Sequence, residues 1–145
     1  MRRAVEYLSL HTNQLTGGVP ASFGKCAKLK RLVLSHNQLE GPIPNELGQC
    51  SALEWLSLRQ NQLTGGVPAS LGKCAKLTAL KLNANQLEGA VPVTELAALT
   101  ALTDLWLDKN EGLTITASGA QALKKALPNA KLLLPEGGRR LEAEF

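Results

Sequence analysis

Three cysteines recur at one fixed spacing and are the first candidates for chemistry. Cys26, Cys50 and Cys74 lie 24 residues apart. If equivalent residues stack, they predict either a metal or redox column or a row of small buried side chains. We favour the buried row, because free cysteine is among the most buried residue types and an odd number cannot all pair. No histidine lies at ligand spacing from a cysteine within one turn, so we predict neither a metal nor another cofactor.

Catalytic groups are sparse. His11 and His36 fall on neighbouring repeats, and Asp104 and Asp108 lie far along the chain. No nucleophile has a base beside it, and no glycine-rich loop suits a phosphate. We therefore predict no catalytic residues and no enzyme activity.

The elements that must position these residues repeat with the same period. Leucine pairs start 24 residues apart, and the fifth follows after 25: Leu8-Ser9-Leu10, Leu32-Val33-Leu34, Leu56-Ser57-Leu58, Leu80-Lys81-Leu82 and Leu105-Trp106-Leu107. A period of this length predicts a solenoid of stacked repeats. Two segments, 14–29 and 62–77, differ only at Phe23 and Leu71, which indicates a recently copied unit of 48 residues.

Each position of a repeat has a physical role. Leucines two apart point to one side of a short strand and predict the core. An asparagine follows each pair, and its amide can satisfy backbone groups where the strand turns away. This predicts a structural ladder of Asn13, Asn37, Asn61, Asn85 and Asn110. Glycine and proline then bend the chain, and the prolines predict an unpaired strand edge there.

The segment Leu29 to Pro44 resembles the plant-specific subclass of leucine-rich repeats. That subclass reads Leu-x-x-Leu-x-Leu-x-x-Asn-x-Leu-x-Gly-x-Ile-Pro, and the segment matches it at every fixed position. The resemblance implies an α/β solenoid, a right-handed horseshoe with a short parallel sheet on its concave side. It also implies recognition of proteins or peptides.

The outward side chains of the strands are the predicted binding surface. Both tryptophans and the single tyrosine belong to this set, and we expect these aromatics to be exposed. Trp, Tyr and Arg are enriched in binding hot spots, although the same rings can pack along the sheet instead. The predicted partner-binding residues are Tyr7, His11, Arg31, Trp55, Arg59, Lys81, Trp106 and Asp108.

The last repeat changes character. Residues 116–127 read as a short amphipathic helix that Thr116 or Ser118 caps, and Lys131 begins a last strand. Terminal repeats are often atypical because they close the core from water. We predict a leucine-rich-repeat domain over 1–135, with a C-terminal helical cap at 112–135 and a flexible tail at 136–145.

Composition limits the partners and the compartment. The net charge of +4 is mild and its sixteen basic residues are dispersed, so we expect a protein or peptide ligand and no nucleic acid. We find no membrane span, signal segment, glycosylation sequon or cap disulfide, which favours a cytoplasmic location. We expect a monomer unless an uncapped N-terminal end self-associates.

Two other functions stay open at this point. The chain is alternatively a structural piece of a longer array or receptor-like protein, without its own ligand. The second alternative is a secreted protein similar to glycanase inhibitors, although such proteins carry an export signal and cap disulfides.

Overall fold

The computed structural model describes residues 5–136, and these form one stack of short strands and helices. The strands are β1 Tyr7–Ser9, β2 Arg31–Val33, β3 Glu40–Pro42, β4 Trp55–Ser57, β5 Gln62–Thr64, β6 Ala79–Lys81, β7 Glu88–Ala90, β8 Asp104–Trp106, β9 Gly112–Thr114 and β10 Lys131–Leu133. Three 3₁₀ helices span Ala21–Lys25, Asn45–Gln49 and Ala69–Lys73, and two α-helices follow, α1 Val93–Ala97 and α2 Ala117–Ala126. The predicted flexible tail lies outside the described residues, except for Glu136.

Six strands form one parallel sheet, which we call the concave sheet, in the order β1-β2-β4-β6-β8-β10. The register places Leu8 beside Leu32 and Leu32 beside Leu56, so one repeat of the sequence is one turn of the solenoid. The predicted strands are therefore confirmed, each beginning one residue earlier than its leucine pair. The sixth strand, β10, pairs with β8 at the C-terminal end of the sheet.

The far side of the repeats contains two further parallel pairs, β3 with β5 and β7 with β9. The prediction of an unpaired edge here was wrong. Pro42 lies within β3 and has no backbone N–H, but other residues make the hydrogen bonds on this side. The Glu40 N–H donates to the Gly17 carbonyl oxygen at 2.9 Å, and the Gln62 N–H donates to the Leu39 carbonyl oxygen at 2.7 Å.

The core is a stack of leucines, as the periodicity predicted. Leu32, Leu56, Leu80 and Leu105 are each completely buried at the same place in successive repeats. Burial of one leucine contributes about 2 kcal/mol, so a row of them is a large stabilising term. The residue before each ladder asparagine has left-handed backbone, with φ of 58° at Ala84 and 57° at His36, which turns the chain away from the strand.

On the convex side, the 3₁₀ helices stack closely because each contains a glycine. A Cβ on Gly24 would lie 2.5 Å from the carbonyl oxygen of Glu46 in the next repeat. No larger residue fits that distance without displacing the neighbouring backbone. These glycines were not assigned this role from the sequence.

The two ends of the stack differ. At the N-terminal end, Val5, Tyr7, Leu10 and Leu15 are exposed. At the other end α2 packs against α1 and buries Ala120 and Leu123. The Thr116 hydroxyl accepts a hydrogen bond from the Gly119 N–H at 2.9 Å and caps α2. The predicted helix and last strand are present, whereas the limits of the domain stay a prediction.

Candidate functional site

The outward side chains of the concave sheet form columns that cross the strands. The first column is Tyr7, Arg31, Trp55, Ala79, Asp104 and Lys131, and the second is Ser9, Val33, Ser57, Lys81, Trp106 and Leu133. These columns are set by the strand register alone. Each side chain is therefore held beside its equivalents from the repeats before and after.

Cationic groups and indole rings alternate along this surface. The Lys81 ammonium lies between both indoles, 4.5 Å from the ring centre of Trp55 and 4.1 Å from that of Trp106. The Arg31 guanidinium lies 4.6 Å from the Trp55 ring centre, and Arg59 lies 5.6 Å from that of Trp106. Each such contact contributes roughly 0.5 to 2 kcal/mol. We call these five residues the cation–indole ladder.

The exposure of the aromatic residues differs from the prediction for two of the three. Tyr7 is 65% exposed, as expected. Trp55 and Trp106 are half-buried, although we expected them to be exposed. The long cationic side chains of neighbouring strands lie against their rings and cover part of each. Ala79, next to Trp55 in the register, is completely buried although it points outward. The rings thus pack along the sheet and still leave part of their surface accessible.

A third column lies just beyond the strands and contains His11, Arg59, Asn83 and Asp108 at equivalent positions. The His11 ring shares a 3.0 Å hydrogen bond with the Thr12 hydroxyl. Four buried polar atoms have no hydrogen-bond partner among residues 5–136: Arg59 Nε, Asn83 Oδ1, Trp106 Nε1 and Asp108 Oδ1. Two are donors and two are acceptors, and all four lie beneath the surface of the sheet rather than open to solvent.

A shallow groove of about 420 Å³ runs over the N-terminal and central strands. Its lining contains five predicted binding residues, namely His11, Arg31, Trp55, Arg59 and Lys81. Trp106 joins this group through Lys81, whereas Tyr7 and Asp108 lie outside the lining. The structure therefore brings six of the eight residues together.

Lys131 was missed by the sequence analysis. Its ammonium lies 5.5 Å from the Trp106 ring centre. Its position at the start of the last predicted strand could have identified it. Because β10 pairs with β8, Lys131 lies on the strand next to Trp106.

The asparagines form a continuous ladder of hydrogen bonds beside the sheet. The Asn61 amide donates to the carbonyl oxygens of Leu34 and Leu58 at 3.0 and 3.1 Å. Its Oδ1 accepts from the Leu39 N–H at 3.0 Å. Asn37, Asn85 and Asn110 repeat this pattern with their own neighbours. At the N-terminal end, the bonds that Asn13 makes within residues 5–136 go to the carbonyl oxygens of Leu10 and His11 in its own turn.

The cysteines line the convex part of the core as reduced thiols. Cys50 and Cys74 are completely buried, and the Cys50 thiol donates to the Phe23 carbonyl oxygen at 3.2 Å. Burial raises the pKa of Cys50, with a smaller contribution from Cys26. Burial, followed by the charge of Cys50, raises the pKa of Cys74 to about 11. Such thiols carry little thiolate at neutral pH, which disfavours metal ligation.

The described residues contain neither a metal-binding cluster nor a membrane-spanning helix. Within residues 5–136, no three His, Cys, Asp or Glu side chains converge closely enough to hold a metal ion. No helix in the same range has the length and apolar composition that crossing a bilayer requires.

The stacked parallel strands, the leucine core and the asparagine ladder together define a leucine-rich-repeat solenoid. The sequence model described as "Leucine rich repeat" matches residues 3–63. This match and the fold together support a plant-type leucine-rich-repeat protein. None of the curated protein sequences matches it significantly.

Solved structures of plant receptors resemble the chain along most of its length. The plant peptide hormone receptor RGFR1 in complex with RGF2 has a TM-score of 0.81 at 35% identity, covering 90% of this chain and 20% of the receptor chain. The Arabidopsis receptor kinase HAESA, in complex with the peptide hormone IDA and the co-receptor SERK1, has a TM-score of 0.75 at 36% identity, covering 82% and 20%. The ectodomain of the Arabidopsis thaliana receptor kinase SOBIR1 has a TM-score of 0.75 at 28% identity, covering 92% and 70%.

The chain thus spans about a fifth of the length of the first receptors that it resembles. The comparisons also correct one prediction. A cytoplasmic location was wrong, because the structures that resemble the chain are extracellular ectodomains of plant receptors, which points to an extracellular location.

Proposed function

We propose that this protein is a recognition module that holds a protein or peptide on its concave sheet and performs no catalysis. The single observation that carries the proposal is the cation–indole ladder. It gathers two tryptophans and two arginines, the residue types most enriched in binding hot spots, on one open surface. A surface whose only role is solubility does not need two large rings there.

The preorganisation of the ladder supports this role. Each half-buried indole is held by cationic neighbours before any ligand arrives, so little side-chain entropy remains to be lost on binding. Two of the receptors that resemble the chain were solved with peptide hormones, which supports a peptide as the ligand class.

The exposed apolar end favours a second proposal, a structural role within a longer array. Leu15 is 36% exposed and Leu10 is 40% exposed on the face before the first strand. In the interior repeats the equivalent leucines are covered by the neighbouring repeat. A further repeat on this face would bury the same side chains.

Selection of peptides from a random display library on the whole chain tests the recognition role. Peptides that bind are then measured against Trp55→Ala/Trp106→Ala and against Lys25→Ala/Lys73→Ala, which changes two exposed lysines of the convex side. We expect the concave variant to lose at least tenfold in affinity, or about 1.4 kcal/mol, while the convex variant is unchanged. Circular dichroism of both variants confirms folding. Equal binding by the two variants, or no selectable peptide, contradicts the proposal.

A further inference from the structure

We propose that the concave groove selects an extended peptide with a short acidic segment, whose carboxylates lie over Arg31, Arg59 and Lys81. This inference rests on the proposed recognition function and names the chemistry of its ligand. It is carried by the positive charges of the groove and by the lack of a carboxylate in its lining, within the part of the chain that the structure describes.

The groove is lined by cations alone among its charged residues. Arg31, Arg59 and Lys81 are its cationic side chains, and His11 and His36 also belong to the lining. Its other lining residues are Ser9, Thr12, Val33, Ser35, Trp55 and Ser57, so no carboxylate among residues 5–136 contributes to the lining. Three fixed positive charges in one concave surface attract an anionic ligand.

The nearby carboxylates Asp104 and Asp108 lie outside the lining of the groove. Asp104 accepts a hydrogen bond from the Thr103 hydroxyl at 3.2 Å, and one oxygen of Asp108 has no partner in the described part of the chain. The cations instead lie against indole rings, as at Arg31 and Trp55. A ring face attracts a cation without accepting its N–H bonds, so these donors stay available to a carboxylate.

The spacing of the cations suits an extended peptide. Arg31, Arg59 and Lys81 belong to three successive repeats, and neighbouring strands in a sheet lie about 4.8 Å apart. Side chains on one side of an extended peptide recur about every 6.8 Å. Across the sheet the three cations therefore span two strand spacings, about 9.6 Å, which an extended acidic segment of about four residues covers.

The remaining charges favour a peptide over a uniform polyanion. Asp104 and Asp108 lie at the C-terminal end of the same face, and Glu54 is exposed immediately before β4 and outside the groove. A nucleic acid carries a charge on every phosphate and would be repelled by these carboxylates. A peptide with a limited acidic segment places its uncharged part there.

Two synthetic peptides test the inference directly. One alternates glutamate with glycine over eight residues, and the other replaces every glutamate by glutamine. Trp55 and Trp106 are the only tryptophans and both contact Lys81, so intrinsic fluorescence reports binding at the ladder. We expect the glutamate peptide to change the emission and the glutamine peptide to do so at least tenfold more weakly. The affinity of the glutamate peptide should fall as salt rises from 50 to 500 mM.

A matched pair of charge variants separates the groove from the net charge. Arg31→Gln/Lys81→Gln removes two concave charges, and Lys25→Gln/Lys73→Gln removes two convex ones. We expect at least a tenfold loss of glutamate-peptide affinity in the first and none in the second. Equal losses, or equal binding of the two peptides, overturn the inference. Tighter binding of a single-stranded RNA than of the glutamate peptide at 150 mM salt also overturns it, in favour of a nucleic acid.

The outcome is distinguishable from failure of the recognition function. If library selection yields peptides that depend on Trp55 and Trp106 but lack acidic residues, recognition stands and the acidic ligand class is wrong. If no selected peptide depends on the indoles, recognition on this face is itself wrong.

Discussion

Leu15 and Leu63 occupy the same place in two nearly identical segments, yet Leu15 is 36% exposed and Leu63 is completely buried. The local sequence around them is the same, so only the neighbouring repeats distinguish their surroundings. Leu63 packs between repeats on both sides, and Leu15 belongs to the end repeat. Burial in this protein is therefore decided by stacking.

This pair of leucines gives a direct measure of the stacking energy. We expect Leu63→Ala to lower the free energy of unfolding by about 2 to 5 kcal/mol, because it leaves a cavity in the core. Leu15→Ala should cost less than about 1 kcal/mol, since its surroundings are partly solvent. Urea denaturation followed by circular dichroism measures both. Similar losses would show that the end repeat is packed as tightly as the interior.

The asparagine ladder is expected to be strongest in the interior. Asn61→Ala removes the acceptor of the buried Leu39 N–H and two donors to carbonyl oxygens. We expect a loss of about 2 to 4 kcal/mol, because buried polar groups are left unpaired. Asn13→Ala, the control, removes only bonds within an exposed turn and should cost under about 1 kcal/mol. The midpoints of guanidinium unfolding measure the two losses. A larger loss for Asn13→Ala than for Asn61→Ala would contradict the stabilising role of the asparagine ladder.

The left-handed backbone before each asparagine predicts a stabilising substitution. Ala84 has φ of 58°, where a Cβ is strained, so Ala84→Gly should raise the free energy of unfolding by up to about 1 kcal/mol. Ala98 has φ of −75°, an ordinary helical value, and Ala98→Gly should lower it by about 0.5 to 1 kcal/mol. Thermal unfolding of the two variants checks the opposite signs. Destabilisation by both would mean that Ala84 is not strained.

The buried thiol of Cys74 predicts a loss of stability in alkaline solution. Its pKa is about 11 in the fold, against 9.0 for an ordinary thiol. Between these values the unfolded chain releases the proton and the native state keeps it, so stability falls as pH rises from about 9 to 11. The slope from this group is at most about 1.4 kcal/mol per pH unit.

Urea titrations at several alkaline pH values measure that slope. We expect Cys74→Ala to reduce it, whereas Cys26→Ala, at the half-buried thiol of the end repeat, should leave the contribution of Cys74 in place. An unchanged slope in Cys74→Ala would show that another group causes the alkaline loss.

The sequence predicts the parts of the fold that depend on periodic contacts. The leucine pairs located the strands, and the asparagines located the ladder, because each depends on a side-chain type at a fixed place in the repeat. The small sheets formed by β3 and β7 were not predicted, since Pro42 and Gly89 disfavour strands in isolation and pairing across repeats overrides that preference.

The candidate site was predicted as a set of residues but not as an arrangement. The strand register identified Trp55, Lys81 and Trp106 as outward side chains. Their half-buried state depends on how far each long side chain reaches toward the next strand, which periodicity does not determine. The role of Gly24 was not predicted either, because its close contact is with Glu46 in another repeat.

The hydrogen bonds of the asparagine ladder also bear on how repeats can be duplicated during evolution. Asn37, Asn61 and Asn85 each accept from a residue 22 positions earlier and donate to one 27 positions earlier. At Asn110, after the longer repeat, the separations are 23 and 28. A duplicated gene segment that encodes whole repeats therefore brings every donor and acceptor that its new neighbours need. The extra residue before Asn110 leaves these bonds in place, so the continuity of the ladder depends on one asparagine in each repeat rather than on a strict repeat length.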